Sequence, residues 1–203
     1  MITLYDFPLS GHAHRVRLML SLLGLDYERV HVDLAQGEHK NADFLAINPF
    51  GVVPALVDGD LVLRESTAIL VYLARAYGPQ WYPIEPVAQA RVQEWLATAT
   101  GDIAAGPAAA RLVTVFGAEL DHAALIDRSH TLLAVMDQHL ADRQWLALDG
   151  PSIADVAAYS YIAHAPEGQV SLEDYPNLRR WLAGVEALPG FVAMPRTDVA
   201  AAA

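Results

Sequence analysis

Asn48-Pro49-Phe50-Gly51-Val52-Val53-Pro54-Ala55-Leu56-Val57-Asp58-Gly59-Asp60-Leu61-Val62-Leu63-Arg64-Glu65-Ser66 is the stretch whose reading decides the fold. Pro54 precedes a short apolar run, Ala55-Leu56-Val57. A proline has no N–H to give to a ladder, so it belongs at a strand's entrance. Asp58-Gly59-Asp60 separates that run from Leu61-Val62-Leu63, and Asp-Gly between two apolar runs marks a tight hairpin. From Glu65-Ser66 onward Ile69, Tyr72, Leu73 and Ala76 fall at helical spacing. Ser66 is a residue type that favours the N-cap. The order is loop, proline, strand, turn, strand, helix. A cis Val53-Pro54 bond would leave the Val53 N–H and C=O free to pair with an added peptide strand. The sequence leaves the isomer open. The helix start just beyond, with its serine hydroxyl, suits a carboxylate. Together these features predict a binding edge of peptide size.

Upstream, Ile2 to Tyr5 reads as a first strand and Asp6 to Gly11 as a loop. From His12 the pattern is helical, with Val16, Met19, Leu20 and Leu23 on one face, Arg15 and Arg17 on others, and Gly24 at the C′ position. Tyr27 to Val32 reads as a second strand, and Asp33 to Ala46 as polar loop. Residues 1–78 therefore predict βαβ–ββα, a small mixed sheet flanked by helices. Gly78 to Pro86, with three prolines, reads as a linker over 79–86. Residues 87–203 show helical patterns and no convincing strand. Val87 to about Gly106 reads as one helix, broken or kinked at Gly106-Pro107. Ala108 to Phe116 and Ala123 to Leu140 follow. Ser152-Ile153-Ala154-Asp155 has capping-box spacing, and Pro176 suits the first position of a last helix carrying Leu178, Trp181, Leu182 and Val185. The alanine tail, 200–203, is expected to fray.

Composition narrows the function classes. The chain has 203 residues, 54% hydrophobic, with 24 acidic against 13 basic side chains and a net charge of −11. That balance argues against nucleic acid and anionic membranes as partners. No apolar run approaches the length of a membrane span, and no basic leader precedes the first strand. A cytoplasmic protein is expected. Cysteine is absent, which excludes disulfides, thiolate metal sites and a cysteine nucleophile. Any thiol chemistry must use a ligand's thiol. The eight histidines form no metal pattern, so no metal is expected, and His12 and His14 read as surface residues.

Gly37-Glu38-His39-Lys40, Phe44-Leu45, Asn48-Pro49-Phe50-Gly51, Val53-Pro54-Ala55-Leu56, Asp58-Gly59-Asp60, Glu65-Ser66 and the Ser152–Asp155 box together resemble the cytosolic glutathione transferases over essentially the whole chain. The likeness is to the serine-using, phi/theta-type branch and its bacterial relatives. It implies a thioredoxin-like domain that binds glutathione, followed by an all-helical domain that walls an electrophile pocket. It implies a cis Val53-Pro54, with the Val53 backbone pairing to the cysteinyl part of glutathione. Glu65 and Ser66 would hold the γ-glutamyl end, and His39 and Lys40 would face the glycine carboxylate. Ser10 would be the catalytic hydroxyl. Glutathione enters as substrate, with no cofactor. A homodimer is implied, in which Asp102 of the neighbour would reach the γ-glutamyl amine, and Leu9, Arg111 and Phe116 are candidates for the electrophile pocket. Two departures stand out: Val52 replaces the glutamine usual before Val-Pro, and Asp6 occupies the position that carries tyrosine in the tyrosine-using classes.

Each of these residues has a plainer reading. Ser10 suits a helix cap. His39 and Lys40 suit a surface loop, although Lys40 is the lone lysine beside 12 arginines. Arg111 and Phe116 suit ordinary helix packing. The leading expectation is conjugation of glutathione to a small, largely apolar electrophile. Isomerisation, dehalogenation or peroxide reduction would use the same site, and a non-catalytic interaction module would use the same fold.

Overall fold

The first strand, β1 (Ile2–Asp6), alternates in burial, with Ile2, Leu4 and Asp6 turned inward. The structure, a computed structural model, describes residues 1–199; the tail expected to fray lies outside them. β1 pairs in parallel with β2 (Tyr27–His31) and antiparallel with β3 (Ala55–Asp58), and β3 pairs antiparallel with β4 (Leu61–Arg64). The sheet order is β2-β1-β3-β4. Gly59-Asp60 forms the two-residue turn between β3 and β4, with Gly59 at φ +59° and Asp58 paired with Leu61; the expected hairpin is present, its turn one residue later than Asp58-Gly59. With α1 (Gly11–Leu22) and α3 (Ser66–Tyr77) this is the thioredoxin-like βαβ–ββα arrangement.

Helix α1 ends in a Schellman motif: Leu25 N–H donates to Leu20 C=O and Gly24 N–H to Ser21 C=O, both at 3.0 Å. Its arginines are not on solvent faces. Arg15, Arg17 and His14 are all buried, because α1 is enclosed by α3 and by α7 (Ile153–Ala163) and shares a core with Leu4 and Leu56 of the sheet. A helix buried on nearly every side has no solvent face to give its charges. Arg17 pairs inside with buried Asp6, which also pairs with Arg29, whereas Arg15 has no carboxylate partner among the described residues.

The segment expected to be loop from Asp33 to Ala46 contains a 3₁₀ turn, Glu38–Lys40, and a helix, α2 (Ala42–Ile47). Six residues are too few to display a 3.6-residue period. Phe44 alone among them is buried, in a small cluster with Val32 and Val53.

Among the described residues the second half of the chain contains no strand. α4 (Pro86–Thr100) ends at Gly101, earlier than the Gly106 expected. The chain then re-enters helical geometry, and Gly106-Pro107 lie within a π-helical segment, Ala104–Ala108, that leads into α5 (Ala109–Phe116). A π turn accommodates a proline whose missing N–H and ring an α turn would not. α6 (His122–His139), α7 and α8 (Pro176–Glu186) complete the bundle. α7 is buried along its whole length and carries both halves of the capping box. It touches α1, α3, α4 and α8. One apolar core therefore runs from the sheet through to α8.

Candidate active site

Ser10 is the N-cap of α1, with extended backbone geometry, and its Oγ accepts the Ala13 N–H at 3.2 Å. One lone pair serves the helix, which leaves the hydroxyl proton free to donate elsewhere. The capping role and a donor role are therefore compatible in the same side chain. The loop before it is pinned from below: Arg17 donates to Pro8 C=O at 2.9 Å while paired with Asp6. Asp6 holds Arg17 in place for this contact. Tyr5 packs edge-on against Phe44, with ring centroids 6.0 Å apart.

Above Ser10 lies a mostly apolar cavity of about 290 Å³, lined by Phe7, Leu9, Ser10, Arg111, Phe116 and Tyr161 among others. Leu9, Ser10, Arg111 and Phe116 thus meet around one space. Arg111 is buried and committed to structure. Its Nε pairs with Glu167 at 2.5 Å and its Nη1 donates to Leu9 C=O at 2.9 Å, while Nη2 has no partner.

The candidate peptide edge lies just before β3. The Val53-Pro54 bond is cis. The Val53 N–H and C=O join neither the sheet nor any loop hydrogen bond among the described residues. Asn48, fully buried, shapes the approach: its Nδ2 donates to Val52 C=O at 2.6 Å and its Oδ1 accepts the Phe50 N–H at 3.1 Å. Val52 itself is exposed. Lys40 Nζ donates to Gly51 C=O at 2.9 Å. A Cβ on Gly51 would lie 2.8 Å from the His39 carbonyl oxygen, so only glycine lets the two loops close. His39 lies within that closure, its Nδ1 buried without a partner.

Ser66 is not the N-cap of α3. Glu65 holds that position, at φ +67°, and Ser66 is the first helical residue. A non-glycine residue at positive φ is strained, a condition that clusters at functional sites. The turn projects the Glu65 carboxylate to solvent, where Arg64 approaches at 3.4 Å. Ser66 is buried and accepts a 3.2 Å hydrogen bond from Arg15 Nη1. Arg15 also donates through Nη1 to His12 Nδ1 at 2.9 Å and through Nη2 to Ala99 C=O at 3.0 Å. Among the described residues it pairs with no carboxylate, so an uncompensated cation sits directly beneath the start of α3. Burial pushes its pKa down to about 10 and leaves it charged at neutral pH. Because arginine only donates, His12 Nδ1 must accept, which fixes the neutral Nε2–H tautomer. Burial, then Arg15, push the His12 pKa down to about 3.

Asp102 is exposed between α4 and α5 and pairs with Arg128 at 3.2 Å; it does not line the cavity. Sequence reading missed Phe7 and Tyr161 as cavity residues, Arg15 beneath Ser66, and Glu167. The available signal was that the polar residues of α1, His12, His14, Arg15, Arg17 and Ser21, are spread around the helix and leave no single solvent face. No cluster of metal-ligating side chains occurs among the described residues.

Comparisons with known proteins bear on this geometry. A family model for the N-terminal domain of glutathione S-transferases matches residues 1–75, and one for the C-terminal domain matches residues 116–189. Glutathione S-transferase 3 of Zea mays is 36% identical over 202 residues, covering 94% of this chain and 91% of the maize protein. A solved glutathione S-transferase from Pseudomonas fluorescens superposes with a TM-score of 0.90 at 33% identity, covering 95% of this chain and 98% of the other. A glutathione transferase family member from the same species, solved with two glutathione bound, gives 0.84 at 29% identity, covering 93% and 89%.

Proposed function

The chain belongs to the glutathione S-transferase family, and from that premise we propose that it binds glutathione along the Val53 edge and presents the thiolate, beside Ser10, to a small apolar electrophile. The single observation that carries this reading is the position of Ser10: its hydroxyl proton is free, at a helix start, on the wall of an apolar cavity. The Val53 peptide groups pair with the cysteinyl backbone. Glu65 and Ser66, over the buried Arg15, take the γ-glutamyl end, and His39 and Lys40 lie toward the glycine carboxylate. Leu9, Arg111 and Phe116 wall the electrophile pocket. The glutathione-binding unit spans residues 1–78, joined by a linker over 79–86 to the helical unit over 87–203.

The energetics suffice without a full base. A free thiol has a pKa of about 8.5, and bringing it down by roughly two units needs about 2.7 kcal/mol. A hydrogen bond to a charged group supplies about 1.5–3 kcal/mol, and a helix start adds about 0.3–1. Ser10 therefore acts as a donor to sulfur and not as a nucleophile.

A homodimer belongs to the same reading. Phe50 is 58% exposed, its ring covered on one face by the Arg64 guanidinium at 3.8 Å, and Leu61 and Val62 of β4 are exposed nearby. A second copy covering this patch would bring Asp102 of the neighbour toward the γ-glutamyl amine. Sedimentation giving a monomer at micromolar concentration would remove both statements.

The decisive experiment follows thiolate absorbance of the glutathione complex against pH, wild type beside Ser10→Ala. Loss of the cap alone costs about 0.5–2 kcal/mol of stability and leaves the thiol pKa in place. Loss of a donor raises that pKa by roughly one to two units, with turnover at neutral pH down roughly tenfold to a hundredfold. Coincident titration curves would exclude Ser10 from the chemistry.

A further inference from the structure

The loop between β1 and α1 is irregular, yet each carbonyl oxygen from Phe7 to Ser10 has a donor. Arg17, further along α1, reaches back beneath the loop. Its Nη2 donates to Pro8 C=O at 2.9 Å and its Nη1 to Phe7 C=O at 3.4 Å. The same Phe7 oxygen accepts the Ser10 N–H at 3.0 Å. The guanidinium and the Ser10 backbone thus share one acceptor. Leu9 C=O takes Arg111, and Ser10 C=O takes the His14 N–H at 2.9 Å as the first bond of the helix. Arg17 is 6% exposed and Asp6 is fully buried. Their ion pair fixes the guanidinium fork, and Arg29 of β2 engages the second Asp6 oxygen. A fork clamped by a carboxylate is pre-organised for further planar contacts. Arg17 is no part of the cavity wall, whereas Phe7, Leu9 and Ser10 are. The buried pair therefore reaches the site only through the loop.

We propose that Arg17, clamped by Asp6, is a positioning residue for Ser10: it folds the Phe7–Pro8 backbone onto the helix that Ser10 caps, and so fixes where the hydroxyl proton meets the glutathione sulfur. This rests on the glutathione reading above and adds a residue to it that touches neither sulfur nor electrophile. Two restraints act on Ser10 from the same helix. The Ala13 N–H, accepted by Oγ at 3.2 Å, sets the side chain against the first turn. Arg17 sets the loop against the second. With both in place the hydroxyl has one position. A hydrogen bond weakens steeply as its distance and angle depart from the optimum, and a donor held within a few tenths of an ångström by its supporting contacts keeps its full strength. Loosening the loop should therefore cost thiolate stabilisation while the cap and the fold persist.

The test is a double-mutant cycle read by thiolate absorbance of the glutathione complex against pH, in wild type, Arg17→Lys, Ser10→Ala and the double variant. Arg17→Lys keeps a cation opposite Asp6, so the ion pair and the local field persist, but a single ammonium lacks the fork that spans two carbonyls. The bound thiol pKa should rise by roughly half a unit to one unit when Ser10 is present, and by less than about 0.2 unit when it is alanine. Turnover at about pH 6 should fall roughly threefold to tenfold and approach wild type as pH rises, with glutathione affinity within about twofold. Asp6→Asn, nearly isosteric, loosens the fork from its other side and serves as the second arm if the lysine variant does not fold; its shift should have the same sign and again vanish without Ser10. No shift in either variant overturns the proposal. So does a shift of equal size with and without Ser10, because the pair would then act through its field or the fold at large. Ser10→Ala that raises the pKa while Arg17→Lys and Asp6→Asn do not refutes this proposal alone. Ser10→Ala that leaves the pKa in place refutes the reading beneath it.

Discussion

Arg111 Nη1 donates a 2.9 Å hydrogen bond to the carbonyl oxygen of Leu9, the residue before Ser10. The same guanidinium pairs with Glu167, whose other oxygen accepts the Thr197 N–H at 2.9 Å. Burial works against ionising Glu167, but the hydrogen bonds from Thr197 and Arg111 outweigh it and hold the carboxyl below its ordinary range. The C-terminal segment, α5 and the Ser10 loop are therefore tied by charge-assisted hydrogen bonds. Arg111→Met should cost about 3–5 kcal/mol, because it strands a buried carboxylate. Combining it with Glu167→Gln should restore part of that stability while turnover stays low, since the Leu9 carbonyl remains untethered. Denaturant unfolding and turnover, measured on both variants, check the two halves of the statement.

Arg15 makes the opposite case. It has no carboxylate partner, so its burial carries an electrostatic cost that its neutral hydrogen bonds offset only in part. Arg15→Met should leave stability within about 1 kcal/mol. Glutathione affinity should fall by about tenfold, the equivalent of one lost charge-assisted contact, as Ser66 loses its anchor and the start of α3 loses its underlying positive charge. Calorimetric titration showing unchanged affinity would confine Arg15 to a structural role.

His12 and His14 predict the pH dependence of stability. Burial, with neighbouring arginine charge, pushes both pKa values down to about 3. His14 sits neutral between Ser160 Oγ at 2.9 Å and Val192 C=O at 2.8 Å. Between pH 6.5 and 3 the unfolded chain binds protons at these positions and the folded chain does not. Their contribution is therefore complete above about pH 6.5 and is lost as pH falls, by up to about 1.4 kcal/mol per pH unit for each imidazole. Glu167, with its depressed pKa, adds a further loss below its unfolded value of 4.5. The urea midpoint should drop between pH 7.5 and 5.5, and His14→Gln should reduce that drop by roughly half.

Asp155 holds α7 in place. Its carboxylate accepts from Leu146 N–H at 3.0 Å, Trp181 Nε1–H at 2.9 Å, Ser152 N–H at 2.9 Å and Ser152 Oγ–H at 3.1 Å, all buried. Asp155→Ala leaves these donors unpaired at about 1–3 kcal/mol each, softened by relaxation to a total on the order of 3–5 kcal/mol. Asp155→Asn, which retains one accepting oxygen, should fall between. Thermal melting followed by circular dichroism ranks the three proteins.

The sequence by itself determined every feature that is written in a few adjacent residues. The Asp-Gly hairpin, the Gly24 helix end, the Ser152–Asp155 box and the Pro176 start of α8 are all set by local turn and cap chemistry. The alternation from strand to helix followed from the hydrophobic period, and so did the two-part architecture. Periodicity states which face of an element is apolar; it does not state which element covers it. The burial of Arg15 depended on α7 closing over α1. The N-cap of α3 shifted by one residue because Glu65 took a positive φ that Ser66 had no local reason to predict. Arg111 met Glu167 across 56 positions, and Tyr161 met Gly11 across the whole helical half. Contacts at such separations are fixed by the packing of whole helices, which is why the cap serine was legible in the chain and its surroundings were decided only by the tertiary structure.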